Sequence, residues 1–147
     1  MQYETFSFTD ALGIVKPLLQ QNFDESGLPG SKFKLHEQTY QALHDNRAGF
    51  AIVAFDDSGV VGFVSVFMSV HPHTSEIVAT NDSVYVVPSH RLTSVGGQLL
   101  VRAERESRRR GSTCFLWQVP DGSDIDKALE SRNCYQFFQK TYLKEFK

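Results

Sequence analysis

The chain has 147 residues, enough for one domain with a substantial core and short of the usual size for two. With 41% hydrophobic and 22% charged residues and a formal net charge of −2, it is neither a disordered chain nor one that captures nucleic acid by bulk charge. No apolar run reaches the roughly 20 residues a membrane-crossing helix needs, and Met1-Gln2-Tyr3-Glu4 lacks a secretory start; one domain over 1–147, in the cytoplasm and off the membrane, is expected.

Taken in chain order, Tyr3 to Phe8 alternates large and polar residues as a short strand does, and Thr9 or Asp10 offers an N-cap for a helix from Ala11 to Gln21. Pro17 falls inside that helix, where proline costs about 3 kcal/mol, so a kink or a restart is expected there. Asn22 to Ser31, with Gly27, Pro29 and Gly30, reads as a loop that could form a substrate lip, and Leu35 to Asn46 as a second helix. Asp24 and Glu25 in that loop have two readings, attraction of a cationic substrate or simple solvation. Gly49 to Phe55 and Val60 to Val70 flank the turn Asp56-Asp57-Ser58-Gly59 as a hairpin. After the turn His71-Pro72-His73-Thr74, Ser75 to Val87 makes a third consecutive antiparallel strand.

The period then changes. Val95, Leu99, Leu100 and Ala103 share one face of a helix from Ser94 to Arg110, which Gly111 ends. The arginines between Arg105 and Arg110 suit a solvated helix C-terminus better than a nucleic-acid surface or a clamp for a 3′-phosphate. Thr113 to Val119 reads as a buried strand, Ser123 caps a short helix from Asp124 to Ser131, and Tyr135 to Phe146 reads as an aromatic final strand. The order is β-α-α-β-β-β-α-β-α-β. Cys114 and Cys134 lie in apolar or aromatic contexts without metal or redox spacing, so two buried reduced thiols and no metal site are expected. His71 and His73, two apart with no third ligand nearby, read as turn histidines, and Trp117 as a core residue rather than a substrate platform.

The segment that carries chemistry is Val84-Tyr85-Val86-Val87-Pro88-Ser89-His90-Arg91-Leu92-Thr93-Ser94-Val95-Gly96-Gly97: a strand, a small-residue loop and a helix start. Unpaired N–H groups and the positive end of a helix dipole bind phosphate at such a junction, and Gly96 and Gly97 allow close approach to the backbone. The spacing fits neither a Walker loop nor G-x-G-x-x-G, which leaves a pyrophosphate-bearing cofactor.

Arg91-Leu92-Thr93-Ser94-Val95-Gly96 resembles the cofactor signature of the GNAT superfamily of N-acetyltransferases: Arg or Gln, two variable residues, Gly, one variable residue, then Gly or Ala. Val84, Val86 and Pro88 match the family's preceding apolar-x-Val-x-Pro, while Ser94 departs from it in place of the first glycine. Ser69-Val70-His71-Pro72-His73, Ala79 to Tyr85 and Leu116-Trp117-Gln118-Val119 are similar to the branch encoded by bacteriophages, which implies a host cytoplasm as its location. The resemblance implies an α/β (α+β) fold, a mixed, mainly antiparallel twisted sheet of 6–7 strands with about four helices, and acetyl-CoA as co-substrate.

On that resemblance the fourth and fifth strands splay and the edge of the fourth, at Val84 and Val86, pairs with pantetheine. The loop Arg91, Leu92, Thr93, Ser94, Val95, Gly96 and Gly97 would hold the pyrophosphate, and an N–H near Val86 would polarise the thioester carbonyl. Asp82, beside Asn81, occupies the place of a family carboxylate base, with His73 able to act directly or through water. Asp82 has a second reading as a carboxylate satisfied by backbone or by Arg91. The family's thiolate-protonating tyrosine, in a Phe-Tyr pair, is met here by Phe137-Phe138; Tyr135, Tyr142 or solvent would have to replace it. The acceptor would be a small-molecule amine or a protein or peptide amine, and the aromatic last strand could pair in a homodimer. The alternative is a GNAT-fold binding protein, weak or inactive as an enzyme, that acts by contacting a host protein.

Overall fold

The computed structural model describes residues 1–146. Strand β1 (Gln2–Phe6) is followed by helices α1 (Phe8–Ser26) and α2 (Glu37–Asp45), then strands β2 (Gly49–Asp56), β3 (Gly59–Val70) and β4 (Ile77–Val86). Helix α3 (Val95–Arg109), strand β5 (Ser112–Leu116) and helix α4 (Asp124–Glu130) complete the order. The five strands lie side by side in chain order, antiparallel except for the parallel β4–β5 pair.

Two apolar layers hold this sheet. Val95, Leu99 and Ala103 of α3 pack against Phe50, Ile52, Ala54, Val64, Val66 and Ala79 on one face. Val15, Leu18 and Leu19 of α1 pack against Val53, Phe63 and Tyr85 on the other. The α3 stripe is the one its heptad-like spacing predicts, and Gly111 ends the helix at φ +101°, a conformation glycine adopts without strain.

Helix α1 departs from expectation. It starts earlier, with Ser7 as N-cap accepting from the Asp10 N–H, and runs through Pro17 to Ser26, absorbing the first part of the presumed loop. Phe8, Ala11, Val15, Leu18 and Leu19 are buried. Each large side chain so buried contributes about 1.5–3 kcal/mol, and together they outweigh the roughly 3 kcal/mol of an interior proline on the exposed face.

The end of the chain is a second correction. No strand forms between residues 135 and 146; the sheet has five strands among the described residues rather than 6–7, and the final β of the expected order is missing. Phe137, Phe138, Tyr142, Leu143 and Phe146 are exposed, so the edge on which a homodimer was expected does not form. Strand β5 is therefore an edge, half-exposed instead of buried. Cys114 on β5 and Cys134 beyond α4 are exposed for the same reason, against the expectation of two buried thiols.

Candidate functional site

The register of β3 and β4 slips by one residue at Asp82. Val66 pairs with Asn81 and Ser65 with Ser83, leaving Asp82 as the extra residue of a β-bulge. Asp82 turns toward α1 and α2, opposite Ala79 on the α3 face, and the bulge inverts the alternation beyond it, so that Val84 and Val86 return to the α3 face and Tyr85 to the α1 face. There Oδ2 of Asp82 accepts from the Tyr40 hydroxyl at 2.7 Å and from Ser65 Oγ at 3.0 Å. Ser65 Oγ in turn accepts from the Ser83 N–H at 3.1 Å. Burial, and after it the negative charge of Asp82 and the hydrogen bond to it, push the Tyr40 phenol well above its ordinary range, so it stays a donor. Phe8, Ala11, Leu12 and Phe63 close around the cluster, leaving a cavity of about 10 Å³, room for a single water at most.

Beside the bulge the sheet opens. Strand β5 pairs with β4 only from Ile77 to Thr80. Asn81 ends that contact: its amide donates to the Gln118 carbonyl at 2.8 Å and its carbonyl accepts from the Gln118 N–H at 2.7 Å. Beyond Asn81 the β5 side of β4 has no strand beside it among the described residues. The Val87 N–H donates to Val61 of β3, so by alternation the backbone groups of Val86 and Val84 face the open side.

Helix α3 starts at the end of this gap. Its N-cap, Ser94, makes no side-chain cap bond, and the first turn carries no acidic residue. Thr93 Oγ1 takes the Val95 N–H at 3.3 Å, while those of Gly96 and Gly97 donate to no protein group among the described residues. A β-carbon on Gly96 would meet only Val86 Cγ2, at 4.0 Å. An uncapped, acid-free helix start beside a strand edge that no described strand pairs fits a ligand with a diphosphate and an amide-bearing arm, as acetyl-CoA has. The loop before it is pinned: His90 contacts Asp56 at 2.9 Å, and Arg91 donates to Val86 O at 2.8 Å and to both Glu25 oxygens at 2.7 and 2.8 Å. Leu92 stands in solvent.

On the α3 side, Glu104 accepts from both Trp117 Nε1 and the Tyr135 hydroxyl. The Tyr135 phenol is pushed up to about 12, first by burial and then by its bond to Glu104 and that residue's charge. Tyr142 is exposed in the C-terminal segment. His73 is not brought to Asp82: it lies in the turn beyond Ile77, its ring edge-on to His71 at 5.6 Å. Asp82 is five residues further along β4, roughly 16 Å at the usual strand rise. A shallow crevice of about 730 Å³ lined by Lys34, Leu35, His36, Glu37, Gln38 and Gln41 shares no residue with the Asp82 cluster. Among the described residues there is no group of three or more His, Cys, Asp or Glu placed to hold a metal, and no helix is long and apolar enough to cross a membrane.

Residues 15–136 match the model of the acetyltransferase (GNAT) family. The chain belongs to that family. This GNAT acetyltransferase is 25% identical over 117 residues to an aminoalkylphosphonate N-acetyltransferase of Salmonella typhimurium, a match covering 75% of the chain and 71% of the relative. Its fold is that of a ribosomal-protein-alanine N-acetyltransferase from Brucella melitensis biovar Abortus 2308, at TM-score 0.71 and 19% identity over 99% of this chain and all of the other. An aminoglycoside N-acetyltransferase in complex with CoA superposes at TM-score 0.75 and 15% identity, over 99% and 93% of the two chains.

Tyr40 and Ser65 were not singled out from the sequence, and Glu25 was read as attracting a cationic substrate or as solvated, not as the partner of Arg91. Tyr40 and Ser65 lie 42 and 17 residues from Asp82, and only the sheet register and the α2 docking bring them together. Asp82 is not paired with Arg91, which Glu25 takes instead.

Proposed function

We propose that this GNAT acetyltransferase transfers the acetyl group of acetyl-CoA to a primary amine by direct attack, with Asp82 receiving the acceptor's proton. The observation that carries the reading is the junction of the β4 edge at Val84 and Val86, where Arg91 takes the Val86 carbonyl and no described strand pairs, with the uncapped start of α3 at Ser94 to Gly97. Acetyl-CoA supplies the acetyl group as a thioester, which an unprotonated amine attacks without a protein nucleophile.

The backbone of Val84 and Val86 lines the pantetheine path, and Thr93, Ser94, Val95, Gly96 and Gly97 cradle the diphosphate. An alkylammonium has a pKa of about 10.4 and must lose a proton before it attacks. Asp82 lies two residues, roughly 7 Å, before Val84 on the same strand. The cavity beside it has room for one water and none for an amine, so its carboxylate takes the proton through that water. Asn81 keeps the gap open by holding Gln118, a positioning role rather than proton transfer. Tyr135 is the hydroxyl on the α3 side from which the departing thiolate can recover a proton, and Glu104 orients it. A small amine is the preferred acceptor class, because the relative in Salmonella is named for an aminoalkylphosphonate.

Calorimetric titration with acetyl-CoA, repeated on Gly96→Asp, tests the reading. A β-carbon at Gly96 meets only Val86 Cγ2, at 4.0 Å, so the variant folds, and its carboxylate fills and repels the place of the diphosphate. Saturable binding lost in the variant supports the site, and thiol release in an amine screen then identifies the acceptor. A folded wild type that binds no acetyl-CoA refutes it.

A further inference from the structure

The signature arginine of the cofactor loop is engaged elsewhere. Its Nη2 meets both oxygens of Glu25 at 2.7 and 2.8 Å, its Nε donates to Val86 O at 2.8 Å, and its guanidinium lies 5.3 Å from the centre of the Tyr85 ring. These contacts run back to α1 and β4. They tie the end of α1 to the end of β4, and they leave the start of α3 without that side chain's charge.

Another arginine stands over that start. After α4, Ser131 caps the helix and the Arg132 N–H donates to Leu129 O at 3.1 Å, which turns the chain back toward α3. The Arg132 guanidinium then lies 3.4 Å from where a β-carbon on Gly97 would sit. None of the ion pairs among the described residues uses Arg132. Among the described residues it is a guanidinium without a carboxylate, above a helix turn whose N–H groups at Gly96 and Gly97 are free.

The geometry points to Arg132 as the side chain that clamps the diphosphate of acetyl-CoA against the first turn of α3, with Arg91 acting as a strut. The inference rests on the reading that this junction binds the coenzyme. A planar guanidinium on one side and two backbone N–H groups on the other enclose a dianionic diphosphate between donors, an arrangement that favours bidentate contacts. Arg132 also lies beside the Tyr135 hydroxyl, whose upward shift it tempers, so one residue borders both the phosphate end and the α3 side of the gap.

The test is calorimetric binding of CoA and of dephospho-CoA, which keeps the diphosphate and lacks the 3′-phosphate, to the full chain and to Arg132→Gln, Arg91→Gln and Glu25→Gln. Arg132→Gln weakens both ligands about tenfold or more, the loss of one charge-assisted contact, at an unchanged melting temperature. It also lowers the slope of log Kd against log salt. Arg91→Gln and Glu25→Gln lower the melting temperature and leave CoA affinity within about threefold where the proteins are folded. Arg132→Gln binding CoA as the wild type does overturns the inference while leaving the cofactor reading intact. So does a loss seen with CoA and absent with dephospho-CoA, which would assign Arg132 to the 3′-phosphate. Tighter CoA binding by Glu25→Gln overturns the strut role, because it would mean that Glu25 competes with phosphate for Arg91. A wild type that binds neither ligand refutes the cofactor reading itself.

Discussion

Removing the Tyr40 hydroxyl, as in Tyr40→Phe, takes away one of three donors to a half-buried carboxylate, the others being the Ser65 and Ser83 hydroxyls. The bond is 2.7 Å long and ends on a carboxylate oxygen. Hydrogen bonds to charged groups contribute about 1.5–3 kcal/mol, and a domain of this size loses about 2–4 °C per kcal/mol, so a melting point lower by roughly 3–12 °C is expected. Scanning calorimetry at pH 7 measures it. The phenyl ring stays, keeping its edge-on contact with Phe8 at 5.6 Å and its tilted one with Phe67 at 6.2 Å, so packing changes little. A double-mutant cycle with Asp82→Ala isolates the pair: the double variant is less destabilised than the sum of the singles by about 1 kcal/mol or more. The pH dependence supplies a second readout. Because the folded Tyr40 phenol titrates above its unfolded value near 10, the unfolded chain releases the proton first. Its contribution is therefore complete below about pH 10 and declines as pH rises beyond it, and Tyr40→Phe removes that decline. Additive single effects together with an unchanged alkaline limb would refute Tyr40 as the partner of Asp82.

Three further outcomes follow from the same contacts. Asn81→Ala removes both bonds to Gln118, costing about 1–3 kcal/mol in urea unfolding, and weakens CoA binding because the gap loses its wedge. Gly62→Ala places a β-carbon 2.9 Å from the Tyr85 carbonyl and 3.3 Å from the side chains of Leu99 and Val86, so overpacking between β3, β4 and α3 lowers stability by about 1–3 kcal/mol. Glu106, held down to about 2 chiefly by its hydrogen bond from Arg109, contributes stability above its unfolded value near 4.3 that is lost as pH falls toward 2. Melting temperatures of Glu106→Gln between pH 5 and 2 should show a flatter acid limb than the wild type.

What was legible in the sequence is what local patterns encode. The α3 stripe, the β2–β3 hairpin with its Asp-Asp-Ser-Gly turn and the Ser123 cap all depend on residues within a few positions of one another. The junction of β4 with α3 was legible for the same reason, since its strand, turn and helix start are contiguous. Misreadings arose where a tertiary contact outweighed a local signal. Pro17 marks a break on propensity alone, yet the buried side of α1 carries the helix past it. Aromatic density at 135–146 suggests a strand, but strand formation requires a neighbour's backbone, and the described residues provide none there.

The same division explains why the side-chain roles at the site diverge from the motif. A signature identifies positions by their spacing along one loop, whereas the partner of each side chain is set by which distant elements fold against that loop. Arg91 begins the motif and lies next to Glu25, 66 residues earlier, because α1 extends to Ser26 rather than ending at Gln21. Had the helix broken at Pro17, that carboxylate would belong to a loop and Arg91 would be free to face the cofactor. The extra turns of α1 thus divert the motif's charge into a strut, and the cation left over the start of α3 is the one that α4 delivers, 35 residues beyond Gly97. In this acetyltransferase the backbone part of the proposed cofactor site follows from contiguous sequence. Its electrostatic part depends on helix lengths at the two ends of the chain.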